Sequence, residues 1–291
     1  MIRLAVIGST GQLGTDLVEV LKEGRDYQVF PLSHAKVECT EPDSVRRELR
    51  EVRPGVVVNC AAFVRVDECE DRPEEAFRVN ALGALYVARA CAEIGALCVY
   101  VSTDYVFDGE KGEPYNEEDK PRPINVYGAS KLAGEHLVQQ ACPRWLIVRM
   151  ASLFGKAGSR GKGGNLVETI LAKARAGETL RVVNDIRMSP TYTCDTARAL
   201  ERLLQQKATG LFHLANDGTC TWYEFAKKAL DLVGLNNKLE PISSIDYLTR
   251  APRPRDSTLR SIKLDPSLKG ALRPWDKALR AYLVEKGYLS A

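Results

Sequence analysis

A strong charge of either sign is missing from this chain. Lys and Arg total 41 against 38 for Asp and Glu, a net charge of +3 with both signs interspersed, so no electrostatic footprint for DNA or RNA is visible. Long apolar runs are missing too. None approaches the ~18 residues of a membrane span, and the apolar opening Met1 to Ile7 meets Gly8 too early for a signal-peptide core. The eight cysteines, at 39, 60, 69, 91, 98, 142, 194 and 220, include no Cys-x-x-Cys pair, and the chain is far longer than a disulfide-stapled scaffold. They read as reduced thiols in the cytoplasm. His34, His136 and His213 lie far apart and at no metal-ligand spacing, so no catalytic metal is expected. Ser130 lacks the glycines of a nucleophile elbow, which leaves acyl transfer without support. A soluble protein remains, with no nucleic-acid and no membrane partner. At 291 residues it has room for an α/β domain and a smaller lobe.

The N-terminus carries the first positive signal. Leu4 to Ile7 is a short apolar run, Gly8-Ser-Thr-Gly11-Gln-Leu-Gly14 a glycine turn, and Thr15 to Leu21 has apolar residues at helical spacing. Strand, tight turn and helix in this order let the backbone approach a pyrophosphate at a helix N-terminus. Gly-x-x-Gly-x-x-Gly also suits a merely structural turn; its position opening a strand–helix unit favours the dinucleotide. The acid that would hold the ribose of NAD is expected ~20 residues past the glycines. After the strand Gln28 to Leu32 stands Ser33-His34-Ala35-Lys36 instead, neutral to basic, which favours NADPH while leaving NADH open.

Strands and helices then alternate. Glu41 to Leu49 reads as a helix, Val56 to Asn59 as a buried strand ending in Cys60-Ala61-Ala62, Pro73 to Ala92 as a helix containing Asn80, Leu97 to Val101 as a strand, and Trp145 to Met150 as another. This predicts an α/β fold: a Rossmann-type doubly wound parallel sheet with a smaller C-terminal substrate-binding lobe. Residues 1–150 are expected to form the NAD(P)-binding domain and 151–291 the substrate-binding region. About 190–214 should return to the main sheet as a helix, Thr193 to Gln206, and a strand, Gly210 to Leu214. Lys156 to Gly164 reads as a mobile glycine-rich basic loop, Asn165 to Ala176 and Trp222 to Val233 as helices. The basic excess from Arg250 to Arg255, with Arg260, fits either a solvated loop or a clamp for a pyrophosphate.

The stretch from Tyr100 to Lys131 carries the chemistry. Thr103 ends a strand, and Tyr127 and Lys131, four apart, share one face of the following helix. A free phenol has a pKa of about 10; a neighbouring ammonium would stabilise its phenolate and let it exchange a proton with a substrate oxygen that Thr103 also bonds. The spacing by itself equally describes an amphipathic helix face.

Together Gly8-x-x-Gly11-Gln-Leu-Gly14, Ser102-Thr-Asp-Tyr-Val-Phe-Asp-Gly109, Tyr127-Gly-x-x-Lys131, Ser189-Pro-Thr-Tyr192 and Arg253-Pro254 make the chain resemble, end to end, the dTDP-4-dehydrorhamnose reductases of the extended short-chain dehydrogenase/reductase superfamily. The resemblance implies hydride transfer from NAD(P)H to the C4 ketone of dTDP-4-dehydro-L-rhamnose by a monomer or homodimer. It implies that Tyr127 protonates the oxygen, Lys131 lowers the Tyr127 pKa and holds the nicotinamide ribose, and Thr103 orients the ketone. On the cofactor it places Gly8, Thr10, Gly11, Gln12, Leu13, Gly14, Ala61, Ala62, Asn80 and Ser102, beside Tyr127 and Lys131. On the dTDP-sugar it places Asp104, Tyr105, Ser152, Asn165 and Arg253, beside Thr103 and Tyr127.

Two departures leave the exact sugar open. Ser152 stands where such reductases usually carry Trp, and Asp185-Ile186-Arg-Met188-Ser-Pro-Thr191 replaces Asp-Gln-x-Gly-x-Pro-Thr. A related dehydratase would need an acid where Tyr105 stands. Two alternatives stay open: the regulatory beta subunit of methionine adenosyltransferase resembles the same fold and would use it to bind a partner, and a reductase of another nucleotide-sugar would use it for the same chemistry on a different substrate.

Overall fold

Short β-branched runs bounded by glycine or polar turns form the strands. Ile2–Ile7 (β1), Tyr27–Leu32 (β2), Val56–Asn59 (β3), Leu97–Thr103 (β4) and Trp145–Met150 (β5) lie parallel in the order β5-β4-β3-β1-β2, and Gly210–His213 pairs with β5 as the sixth strand. This computed structural model describes residues 1–158 and 164–290, apart from the side chains of residues 267 and 269; most of the glycine-rich basic loop, 159–163, lies outside them.

Both faces of the sheet are covered, which is why its strands read as continuous apolar runs. Leu4, Val6, Val58, Val99 and Val148 pack against the helices Gln12–Glu23 and Thr193–Gln205; Ala5, Ile7, Val57, Tyr100 and Ile147 pack against Pro42–Val52, Gly83–Ile94 and Val126–Ala141. The strand order reverses between β1 and β3, so the ligand crevice of such a sheet opens there, at the carboxyl ends of the strands. Pro31 is tolerated because β2 is an edge.

Two elements differ from the sequence reading. β4 runs on to Thr103, because its ladder with β5 continues to the pair Thr103 and Met150. The helix expected from Pro73 to Ala92 is interrupted: Pro73–Phe77 leads into a wide π turn, Arg78–Leu82, before Gly83–Ile94. Such turns mark sites where the helical ladder yields to another contact. Here the Asn80 carbonyl accepts from the Tyr100 hydroxyl at 2.7 Å.

A second core gathers Ile170, Leu171, Phe225, Leu279 and Tyr282 from the helices Leu166–Arg175, Trp222–Val233 and Trp275–Glu285, the last of which carries no assignment in the sequence reading, with Phe154 and Tyr192 from the short paired strands Leu153–Phe154 and Thr191–Tyr192. Leu180–Val183 and Leu239–Ile242 pair in parallel beside it. Met188 lies in this core, 1% exposed, and pairs with Cys220. Its departure from the pattern therefore falls on a residue packed in this core.

Where this lobe meets the first helix, the Thr193 hydroxyl donates to the Asp16 carboxylate. Burial, with Glu285 and Glu19 adding to it, raises Asp16 to about 6 from the ordinary 3.8. The native state thus holds this proton more tightly than the unfolded chain. The stability that protonation confers is complete below about pH 3.8 and is lost as the pH rises through 6. Asp16→Asn, which keeps an acceptor for Thr193, should accordingly stabilise the protein by about 1–2 kcal/mol at pH 8 and by nothing near pH 4. Denaturant titrations of both proteins across that range check it; a constant difference would contradict it.

Candidate active site

Gly8 leaves β1 at φ 75°. Its N–H donates to the Leu32 carbonyl at 2.9 Å, and the Gly11 N–H donates to the Gly8 carbonyl at 3.0 Å. A Cβ on Gly14 would stand 2.2 Å from the Gly8 oxygen, so only glycine lets the first helix pack this closely under the turn. Gly11 caps that helix without a side-chain bond, and no acid occupies its first turn. The leading N–H groups and the positive end of the dipole are therefore available to an anion. Gln12 Oε1 is buried at the same place without a hydrogen-bond partner. This cradle fits a dinucleotide pyrophosphate. Ala61 lies against Gly8, its N 3.0 Å from where a Gly8 Cβ would stand, so Ala61 and Ala62 share the edge. Thr10 is exposed on the turn, whereas the Leu13 side chain enters the sheet core and leaves only its N–H for a ligand.

Beyond β2, the first carboxylate of the chain is already engaged. Glu38, the acid nearest in sequence, accepts from the Thr40 N–H and hydroxyl at 2.9 and 2.7 Å with one oxygen and faces His34 Nε2 at 2.7 Å with the other. Lys36 is exposed.

The helix Val126–Ala141 carries Tyr127 and Lys131. Asn125 caps it by accepting from the Gly128 N–H at 2.8 Å, and Glu70 Oε1 accepts from the Val126 N–H at 2.8 Å. Gly128 touches the chain after β4: a Cβ there would lie 2.0 Å from the Tyr105 carbonyl oxygen. That close approach brings Tyr127 to Thr103. Burial pushes the Tyr127 phenol above its ordinary value, and the nearby Thr103 hydroxyl pulls the other way. Thr103 Oγ1 donates to Asp104 Oδ1 at 3.0 Å and accepts from the Tyr105 N–H at 3.2 Å.

Lys131 lies against β4. Its ammonium donates to the Val101 carbonyl at 2.7 Å and stands 4.0 Å from the centre of the Tyr100 ring. Burial lowers its pKa to about 7. The same burial favours the protonated phenol of Tyr127.

Three residues expected on ligands face the protein instead. Asn80, fully buried, accepts from the Phe63 N–H at 2.8 Å and donates to the Phe63 carbonyl and Ser130 Oγ at 3.1 and 3.0 Å. Ser130 in turn donates to the Tyr127 carbonyl at 2.8 Å, so Asn80 braces the reactive helix. Ser102 donates to Glu135, which holds Arg149 through bonds of 2.9 and 2.7 Å, a buried ion pair behind the sheet edge. Asn165 caps Leu166–Arg175 and donates to the Gly155 carbonyl and the Tyr282 hydroxyl, both at 3.0 Å. In all three the amide or hydroxyl donors already have protein acceptors.

On the substrate side the Tyr105 and Tyr127 rings meet edge to face at 5.9 Å, and the Arg253 guanidinium lies 6.0 Å from the Tyr105 ring centre. Ser257 donates to Asp104 at 2.5 Å, tying the C-terminal chain to the Thr103 loop. Ser152, just past β5, adopts φ 42°, a left-handed conformation uncommon outside glycine and typical of functional sites. Sequence reasoning missed Asp67, Glu70 and Ser257. The acidic run Asp67-Glu-Cys-Glu-Asp71 directly after the β3 turn was the available signal for the first two.

A doubly wound dinucleotide fold with Thr103, Tyr127 and Lys131 gathered at its carboxyl edge is an oxidoreductase of the short-chain dehydrogenase/reductase type. A family model described as RmlD substrate binding domain matches residues 2–287, and the chain belongs to that family. It is 38% identical to the spore coat polysaccharide biosynthesis protein SpsK of Bacillus subtilis over 288 residues, 98% of each chain. A dTDP-4-dehydrorhamnose reductase of Clostridium acetobutylicum superposes with a TM-score of 0.93 at 35% identity, over 98% of this chain and all of that one. A dTDP-4-dehydrorhamnose reductase of Bacillus anthracis in complex with NADP superposes with a TM-score of 0.90 at 34% identity, over 98% and 99% of the two chains.

Gly14→Ala tests the cradle. The clash with the Gly8 carbonyl should weaken NAD(P)H binding by about tenfold or more and cost about 1–3 kcal/mol of stability. Fluorescence titration with the reduced cofactor reads the first effect and thermal denaturation the second; native affinity in the variant would contradict the geometry.

Proposed function

We propose that this protein uses NADPH to reduce the C4 ketone of a dTDP-4-dehydro-6-deoxy sugar, taking dTDP-4-dehydro-L-rhamnose to dTDP-L-rhamnose. The observation that carries this reading is the Tyr127 phenol held against Thr103 at the same sheet edge as the Gly8 to Gly14 cradle, in a chain whose full-length relatives include dTDP-4-dehydrorhamnose reductases. NADPH is favoured over NADH by the exposed Lys36 and by the full engagement of Glu38.

When bound, the nicotinamide supplies the hydride to the carbonyl carbon. The residues of this chain manage the oxygen. Thr103 orients it by hydrogen bonding. Tyr127 breaks its O–H bond and passes the proton to the oxygen, which becomes the product hydroxyl. Burial suits the task by keeping the phenol protonated until an alkoxide, a far stronger base, develops beside it. Tyr105 supplies no carboxylate for dehydration, and a regulatory subunit would have no chemical use for the Thr103 and Tyr127 hydroxyl pair. Ser152 and Arg253 belong to the sugar-nucleotide side of this reading.

NADPH oxidation with enzymatically prepared dTDP-4-dehydrorhamnose is the direct assay, and a native chain without turnover would sink the proposal. Tyr127→Phe removes the proton donor and little volume; kcat should fall by about 10²–10⁴ with cofactor affinity nearly unchanged. Full activity in that variant would mean that the proton comes from elsewhere.

A further inference from the structure

The short helix Val66–Asp71 stands between the reactive helix and the C-terminal chain. Two of its carboxylates hold the strap of residues 250–253 through ion pairs. Asp71 pairs with Arg250, both well exposed. Asp67 pairs with Arg253, whose side chain is only 19% exposed, at 3.0 Å. These pairs differ in one decisive respect: the Arg253 guanidinium reaches the Tyr105 ring, which itself meets Tyr127 edge to face.

Asp67 is itself fixed. Its Oδ1 accepts from the Ala251 N–H at 3.0 Å while its Oδ2 accepts from Arg253 Nη2. Arg253 Nη1 donates to the Ala251 carbonyl at 3.1 Å, so carboxylate, guanidinium and strap backbone form one closed unit. A guanidinium has five N–H donors in a planar fork; this unit engages two of them. The strap is anchored from its far side as well, since Asn125, the cap of the reactive helix, donates to the Pro252 carbonyl at 2.9 Å.

We infer that Asp67 is a positioning residue for nucleotide-sugar recognition: it presents Arg253, already ordered, at the Tyr105 side of the site, where the remaining donors suit the diphosphate of the substrate. This rests on the reading of the substrate as a nucleotide-sugar. The physical basis is pre-organisation. A free arginine side chain loses rotamer freedom when it grips an anion, and a carboxylate that orders it beforehand removes that cost. A planar fork serves two anions on different edges, as a lysine ammonium would not.

Asp67→Asn keeps a carbonyl for the Ala251 N–H and removes the charge that holds Arg253. In that variant KM for the dTDP-keto sugar and Kd for dTDP should each rise about tenfold. Saturated kcat and KM for NADPH should stay within about twofold. Arg253→Ala should bind dTDP more weakly still, and the double variant no more weakly than Arg253→Ala, because Asp67 acts only through Arg253. Arg250→Gln, which breaks the outer pair, should leave both constants near native values. If Asp67→Asn lowers the melting temperature, Arg253→Lys should reproduce the KM and Kd rise in a stable protein. Unchanged dTDP affinity in Asp67→Asn, additive losses in the double variant, or an equal rise in KM for NADPH would overturn the inference. A native chain that binds dTDP through Arg253 and Asp67 yet reduces no dTDP-4-keto sugar would fail the functional reading and leave this clamp standing.

Discussion

The seating of the helix Val126–Ala141 against β4 is the constraint on which the site depends. Residues one turn apart on one side of that helix all meet the strand or its exit: Gly128 against the Tyr105 carbonyl, Lys131 on the Val101 carbonyl, Glu135 on Ser102. Gly134, a Cβ on which would lie 2.4 Å from both the Asn80 carbonyl and the Tyr100 hydroxyl, continues the same contact. A helix this close to a strand cannot slide or roll by a residue without burying a side chain in backbone. Tyr127 therefore has little choice of position relative to Thr103. Beneath it Glu135 and Arg149 form a buried ion pair, and removing either would leave the other charge uncompensated, at a cost of about 3–5 kcal/mol.

The same closeness reshapes the electrostatics. A Tyr and Lys four apart suggest a phenol activated by an ammonium, and that picture assumes both groups meet each other. Packing instead turns Lys131 to the Val101 carbonyl and the Tyr100 ring, and the dryness of the site acts separately on each group, raising the phenol and lowering the ammonium. For a reduction this is serviceable chemistry, since the acid must arrive protonated.

The two cores are joined by contacts of unlike kinds. The C-terminal chain returns to the sheet domain through backbone bonds, Tyr115 N–H to the Thr258 carbonyl and Arg260 N–H to the Tyr115 carbonyl, both at 2.8 Å, and through Leu264, Leu268 and Leu272 in the sheet core. At the opposite corner, a buried carboxylate, Asp16, meets the hydroxyl of Thr193. Near the site mouth the links are ionic and partly exposed, from Asp67 and Asp71 to the strap.

Much was legible in the sequence because local pattern and covalent spacing determine it. β-branched runs buried on both faces announce a parallel sheet, the glycines from Gly8 to Gly14 announce a tight turn into a helix, and the Ser102 to Gly109 and Tyr127 to Lys131 blocks identify the reactive edge. Spacing along the chain says nothing, however, of which acceptor a donor finds. Asn80, Ser102 and Asn165 look like ligand contacts in sequence and are internal braces in the fold, while Met188 looks like a change in the sugar pocket and is a core residue. Asp67 and Arg253, 186 residues apart, form a pair that no local pattern encodes. The sequence by itself determined the sheet, the glycine turn and the placing of Thr103 and Tyr127 near one sheet edge, since these follow from short-range periodicity and spacing. Tertiary structure alone decided where Lys131 points, how the phenol titrates and which carboxylate holds Arg253, because each depends on burial and on partners that only folding brings together.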